Sequence, residues 1–305
     1  MTDPADLRPR IDLTDRIALV TGSSRGLGAA TAQRLGAMGA EVIVTYRKQA
    51  EAAADVAAAI AEAGGRAHVQ PLDAGDIGSI DSLFDWIEAD GPGGLDILVA
   101  NAAATSLKPL LEQAPHNVER TFAITVTGFL HAVQRAVPLM ESRRGGRIVA
   151  VSGIDTVSWA PAHGLLAAAK ASMEMLVTYL TVELGKHGIT AVGVNPDAFF
   201  GDSLKLMLGD HYEVMLGVHE RSHPLREAAT PEAIAEVVAL LCTDAARWMS
   251  GHTVMADGAA SFAARGTLIA QTATLPPELQ RQRAGLAPVD ADTPPPSAAP
   301  SVPDL

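Results

Sequence analysis

The run from Ile17 to Gly28, IALVTGSSRGLG, constrains this chain more than any other stretch, because four apolar residues lead straight into a loop with glycines at 22, 26 and 28. A short apolar run of this kind reads as a strand. Glycines directly after it supply the φ freedom of a tight strand-to-helix turn and let the backbone approach a pyrophosphate closely. The loop therefore predicts a dinucleotide-binding unit, with Gly22, Ser24, Arg25, Gly26, Leu27 and Gly28 around the phosphates.

The rest of the chain repeats the same alternation. Short β-branched runs at Ile17–Val20, Glu41–Tyr46, Ala67–Pro71, Ile97–Ala100, Arg147–Val151, Thr190–Asn195 and Thr253–Ala256 are separated by long Ala-rich helical stretches. That order is the mark of βαβ units. Continuous apolar character in RIALV, DILVA and RIVAV fits strands covered on both faces. The expected architecture is α/β, a single doubly wound (Rossmann) parallel sheet of seven strands with helices on both faces. Residues 1–11 form an N-terminal extension, 12–265 the domain and 266–305 a tail. The tail is Pro-rich, its last twenty residues holding six prolines, and is expected to be disordered.

Composition excludes several function classes. A net charge of -12 with no basic cluster opposes binding to a nucleic-acid backbone. Met1–Arg10 lacks the basic start and apolar run of a signal peptide, so a cytoplasmic protein with no membrane partner is expected. Cys242 is the single cysteine, which rules out an intrachain disulfide and a thiolate metal cluster; it lies in an apolar run and reads as core.

The second strand ends in Tyr46-Arg47-Lys48, where an NAD site wants a carboxylate for the ribose 2'-hydroxyl. Arg47, together with Arg25 from the glycine loop, offers planar donors suited to a 2'-phosphate, so the expected cofactor is NADP(H). The alternative is a pair of solvated surface arginines. Asp73, just after the third strand, is placed to meet the adenine, and Asn101, Ala102, Ala103 and Ala104 provide small residues beneath the cofactor.

Six segments in order, TGSSRGLG, LDILVANAAA, GRIVAVSG, AAAKAS, ITAVGVNP and GHTVMADGA, resemble the short-chain dehydrogenase/reductase family, in its ketoacyl-carrier-protein-reductase-like branch, from about Asp12 to Ala260. The resemblance implies a Lys that binds the nicotinamide ribose, a Tyr four residues before it, a Ser thirteen before the Tyr and an Asn on the preceding helix. Lys170 matches the Lys, and Pro196 the residue that borders the cofactor after the sixth strand. Leu166 stands where the Tyr is expected, Gly153 where the Ser is expected and Thr125 where the Asn is expected. Past Pro196 the family's Gly becomes Asp197, and its later Thr aligns with Gly201.

Other residues are candidates for the missing chemistry. Ser152 adjoins Gly153 but should face the other side of the strand unless the register shifts by one. His163 lies seven residues before Lys170, the spacing at which enoyl reductases of the same family place their Tyr, and shares a helix face with Leu166 and Lys170. An imidazole there suits proton donation near neutral pH; a cap or surface histidine is the alternative. Asp155 and Asp197 follow the carboxyl ends of central strands and are candidates to orient His163 or carry a proton, Asp197 alternatively serving an Asx turn. The segment at about 200–226 resembles a substrate lid, with apolar Leu204, Leu206, Met207, Leu208, Val214, Met215 and Leu216. Its rings, His211, Tyr212, His219 and His223, are not spaced as a metal site, and no metal is expected.

Three functions are compatible with these residues. The first is an NADP(H)-dependent reductase of a carbonyl or activated alkene on a small or acyl-type substrate, using Lys170, His163, Ser152 and Asp155. The second is a cofactor-binding pseudoenzyme paired with an active relative, and the third an isomerase or dehydratase on the same scaffold. Resemblance further implies a homodimer or homotetramer joined by the helices near 115–140 and 162–187.

Overall fold

The computed structural model describes residues 11–201, 204–205 and 209–263. Seven strands, β1 (Ile17–Val20), β2 (Glu41–Tyr46), β3 (Arg66–Pro71), β4 (Ile97–Ala100), β5 (Gly146–Val151), β6 (Ile189–Pro196) and β7 (Thr253–Ala256), form one sheet in the order 3-2-1-4-5-6-7. All six pairings are parallel. The strands expected from the sequence are all present. β3 and β5 begin one residue earlier than expected, at Arg66 and Gly146, and β6 is longer by a residue at each end, because Arg66 pairs with Glu41, Ile189 with Gly146 and Pro196 with Ala256.

Alternation along each strand separates two cores. Ala18 and Val20 of β1 face one side with Leu27 and Leu35 of α1 (Gly26–Ala37), Val56 and Ile60 of α2 (Ala50–Glu62) and Ile234 and Val238 of a late helix. Ile17 and Leu19 face the other with Ile80 and Phe84 of α3 (Ile77–Ala89), Leu139 and Met140 of α5 (Gly128–Ser142) and Met173 and Val177 of α6 (Gly164–Leu184). Between α3 and α5 lies α4 (Pro115–Phe122), joined to α5 by a π-helical turn at Ala123–Thr127. After β6 come α7 (Tyr212–Ser222) and then the late helix, α8 (Pro231–Leu241), whose N-terminus is capped by Thr230 accepting from the Ala233 N–H. Cys242 is buried beside α8, its thiol pushed up to about 12 by burial, as a core residue should be.

The chain runs outward from β1 through β2 to β3 and then crosses back to β4, so a crevice opens beyond the carboxyl ends of β1 and β4. The amino ends are tied shut instead. Asp96, its side chain 2% exposed, accepts from Arg16, Arg143 and the Ile17 N–H at 2.9–3.0 Å.

This sheet belongs to a compact unit that runs to Ser261; of the second unit, Phe262–Leu305, only Phe262 and Ala263 are among the described residues. The expected tail at 266–305 lies outside them, as do residues 1–10 and, in the lid, Leu206, Met207 and Leu208.

Candidate active site

The glycine loop is held from three strands. Thr21 accepts from the main-chain N–H groups of Asn101 and Ala102 through its hydroxyl. The Ser23 hydroxyl donates to Val20 O and accepts from the Thr45 N–H, while Thr45 Oγ1 accepts from the Gly22 N–H. Asn101 Nδ2 donates to the carbonyls of Thr21 and Gly22 at 3.0 and 3.2 Å. Gly22 has φ +66°, a left-handed conformation that suits glycine. A Cβ on Gly28 would sit 2.4 Å from Gly22 O and 2.6 Å from Asn101 Nδ2, so only glycine lets α1 start this close to β1.

A groove of about 500 Å³ runs over this loop, lined by Ser24, Arg25, Tyr46, Arg47, Asp73, Asn101 and Ala102 among others. At the N-terminus of α1 no side chain caps the free N–H groups and no acidic residue stands in the first turn, which leaves that end ready for an anion. Arg25 and Arg47 are exposed, and neither is ion-paired among the described residues. Asp73 is held through its main-chain N–H on Ser79 and its carboxylate on the Gly75 N–H. Lys48 also lines the groove, an addition to the expected set. Leu27 points the other way, into the core, and only its backbone remains for phosphate contact. The uncapped helix end, the close glycines and the flanking guanidinium groups together fit a phosphorylated dinucleotide.

At the other end, Lys170 on α6 is 4% exposed and its ammonium donates to Val151 O at the tip of β5. Burial draws its pKa down to about 8, against the opposing pull of Asp155 and Glu174. Asp155, in the short turn Ile154–Thr156, is shifted up by burial, with His163 and then Lys170 opposing the shift. Asp155, His163 and Lys170 therefore share one electrostatic neighbourhood.

His163 caps α6 rather than sitting within it; its carbonyl accepts the Ala167 N–H, and it follows Ala162, a non-glycine residue at φ +62°. Its Nδ1 lies 2.8 Å from Pro161 O. A carbonyl can only accept, so Nδ1 carries the proton in the neutral ring and Nε2 is the nitrogen left to exchange one.

Ser152 is turned away from the position of Gly153, as the alternation of strand residues predicts. Its hydroxyl donates to Glu174 Oε1, which also accepts from Thr156 at 3.0 Å. Thr156 in turn accepts from Asn195 Nδ2 at 2.8 Å. Glu174 is an addition to the expected site residues, although it lies four residues after Lys170 and so on the same helix face. Thr125 is 1% exposed in the π-helical turn, its hydroxyl without a partner among the described residues.

In the lid, Asp197 serves no Asx turn among the described residues; its N–H donates to Ala256 O and its carboxylate meets two rings. His219 Nε2 and His223 Nε2 lie 3.2 and 3.5 Å from Asp197 Oδ2. The fold thus joins two of the four lid rings to a carboxylate, a grouping that sequence spacing did not disclose. His223 has both nitrogens in use: Nδ1 accepts the Leu225 N–H, so Nε2 bears the proton and faces Asp257 O at 3.1 Å. Among the described residues, Asp197 Oδ2 and His219 Nε2 are left without a hydrogen-bond partner. Tyr212 packs edge-on to Phe200, and His211 is exposed.

Residues 22–261 match the family profile described as enoyl-(acyl carrier protein) reductase. The chain belongs to the short-chain dehydrogenase/reductase family. It is 35% identical to 1-cyclohexenylcarbonyl-CoA reductase of Streptomyces collinus over 250 residues, 82% of this chain and 88% of that one. Among solved structures of the family, it superposes with a TM-score of 0.75 on angucycline C-6 ketoreductase LanV with bound NADP, at 35% identity over 82% of this chain and 97% of that one. A second, 7α-hydroxysteroid dehydrogenase complexed with NADH and 7-oxo glycochenodeoxycholic acid, gives 0.76 at 28% identity over 85% and 97%. The groove over the glycine loop thus lies on the fold of a family whose solved members include structures with bound NADP or NADH.

Proposed function

We propose that this family member is an NADP(H)-dependent reductase of an activated alkene or carbonyl, with a proton donor other than the family's usual tyrosine. One observation carries the reading: Leu166 stands four residues before Lys170, while His163, its Nε2 without a partner among the described residues, stands seven before it and acts with Lys170 on the charge of Asp155. The Streptomyces relative, named for a conjugated acyl thioester, favours an α,β-unsaturated thioester as the acceptor. Such an acceptor is already polarised by its carbonyl and asks less of an acid than an isolated ketone does.

NADPH, when bound, supplies the hydride to the β-carbon. Arg25 and Arg47 hold the 2'-phosphate, the open N-terminus of α1 and the backbone of Gly22–Gly28 hold the pyrophosphate, and Asp73, Asn101, Ala102 and Pro196 border the remainder. Lys170 binds the ribose. His163 delivers the proton that the α-carbon gains, so one hydride and one proton saturate the double bond. Ser152 acts from behind, fixing Glu174 and through it the field at Lys170.

The protein is proposed to act in the cytoplasm as a homodimer or homotetramer. Met175, Tyr179 and Val182 leave an exposed apolar outer face on α6, 59%, 63% and 80% exposed. By length and composition Gly164–His187 also passes as a membrane-crossing helix, but its inner residues Met173, Val177 and Leu180 belong to the core.

Incubation with 4-deuterated NADPH and a panel of ketones and enoyl thioesters should place deuterium in a reduced product. Replacement His163→Ala should cut the rate by about 10²–10⁴. Cofactor binding with no transfer to any acceptor would instead support a non-redox or partner role, and full rate in H163A would discard His163 as the acid.

A further inference from the structure

Gly153, two residues past the end of β5, has an extended conformation, φ -170° and ψ 152°, which any residue adopts, so the backbone does not ask for glycine here. Space does. A Cβ built on Gly153 would lie 2.7 Å from Asp155 Oδ1, a carboxylate oxygen that closes over the place a side chain would fill. The turn Ile154–Thr156, held by the Thr156 N–H on Gly153 O, folds Asp155 back over the tip of the strand.

We propose that the Asp155 carboxyl replaces the side chain that Gly153 lacks and donates a hydrogen bond to the substrate's carbonyl oxygen. The inference rests on the reductase function proposed for this site and assigns the group that stabilises the negative charge hydride addition sends to that oxygen. A serine hydroxyl and a protonated carboxyl are both O–H donors, so one serves in the other's space.

Burial shifts Asp155 toward its neutral form, the form that donates. Among the described residues its carboxyl has no hydrogen-bond partner beyond its own main-chain N–H, which leaves the acid proton available to a ligand. The charged and titratable groups around it are His163 on the cap of α6 and Lys170 on the helix, with Glu174 behind Lys170. In this role Asp155 lends a hydrogen bond and is unchanged at the end of the cycle; the proton gained by the product comes from His163, and no electrons move beyond the hydride pair.

The test compares D155A, D155N and G153S/D155A, with crotonyl-CoA and NADPH as probes. D155A should lose about 10²–10³ in kcat, the usual effect of deleting one donor to a developing oxyanion. D155N, which keeps an N–H donor, should fall between it and the parent. G153S/D155A, which returns a hydroxyl to the same space, should recover at least about tenfold over D155A, by the same reasoning. A D155A rate within about threefold of the parent, or no recovery in the double variant, would overturn the role. A readout without substrate or cofactor stands beside these: the ¹³C carboxyl resonance of Asp155, assigned by its loss in D155N, should titrate above the ordinary aspartate range and return toward it in G153S. An ordinary titration unmoved by G153S overturns the placement alone, whereas absence of deuteride transfer in the parent overturns the reductase function and this role with it.

Discussion

Lys170 shows how one residue's burial sets both chemistry and stability. Its amine titrates near 8 when folded and 10.5 when solvated. Below pH 8 both states carry the charge and the fold bears the whole cost of burying it, about 3 kcal/mol from the size of the shift. Between pH 8 and 10.5 the unfolded chain binds the extra proton, so stability rises with pH across that window. K170M should therefore melt higher than the parent at pH 7, by about 1–2 kcal/mol once the unpaired Val151 carbonyl is counted. Paired denaturant titrations should show the gap narrowing as the pH rises from 8 to 10.5. The same variant should be inactive, which separates the residue's function from its thermodynamic burden.

At the scale of elements, the proposed preference for NADPH rests on the phosphate loop and the end of β2. R25A and R47A should each lower the ratio of kcat/KM for NADPH over NADH by about tenfold, the worth of a charge-assisted hydrogen bond at a partly exposed site. Added salt should erode the parent's preference in the same direction. All seven strands and the glycine loop were legible in the sequence because each is written in consecutive residues: IALV before TGSSRGLG, or RIVAV before Ser152. The turning away of Ser152 was legible too, from the two-residue period of a strand. Long-range partners were not. Nothing local pairs Asp197 with His219 and His223, since the meeting depends on how α7 folds back over β6, and the partnering of Ser152 with Glu174 depends on how α6 lies against β5. Glu174 alone carried a hint, its four-residue spacing from Lys170.

Across the whole molecule, rigidity and reactivity sit at opposite edges of one sheet. Asp96 and its arginines close the amino ends, while the carboxyl ends keep uncapped N–H groups, an exposed pair of guanidinium groups and a buried amine. The apolar outer face of α6 carries the prediction at this scale. Sedimentation velocity should find the parent as a dimer or larger and Y179E/V182E as a smaller species, with a matching loss of thermal stability if the interface contributes to folding.

The contact between Gly153 and Asp155 also bears on how the two positions can be varied together. A side chain at 153 and the carboxyl of 155 share one volume, so a serine at 153 turns Asp155 aside, and a small residue at 155 leaves that volume to whatever stands at 153. The two positions are coupled through the space they share. In a library randomised at both positions and selected for turnover, survivors should fall into two separate groups, Gly with Asp or Ser with a small residue, and the path between them should pass through a variant poorer than either.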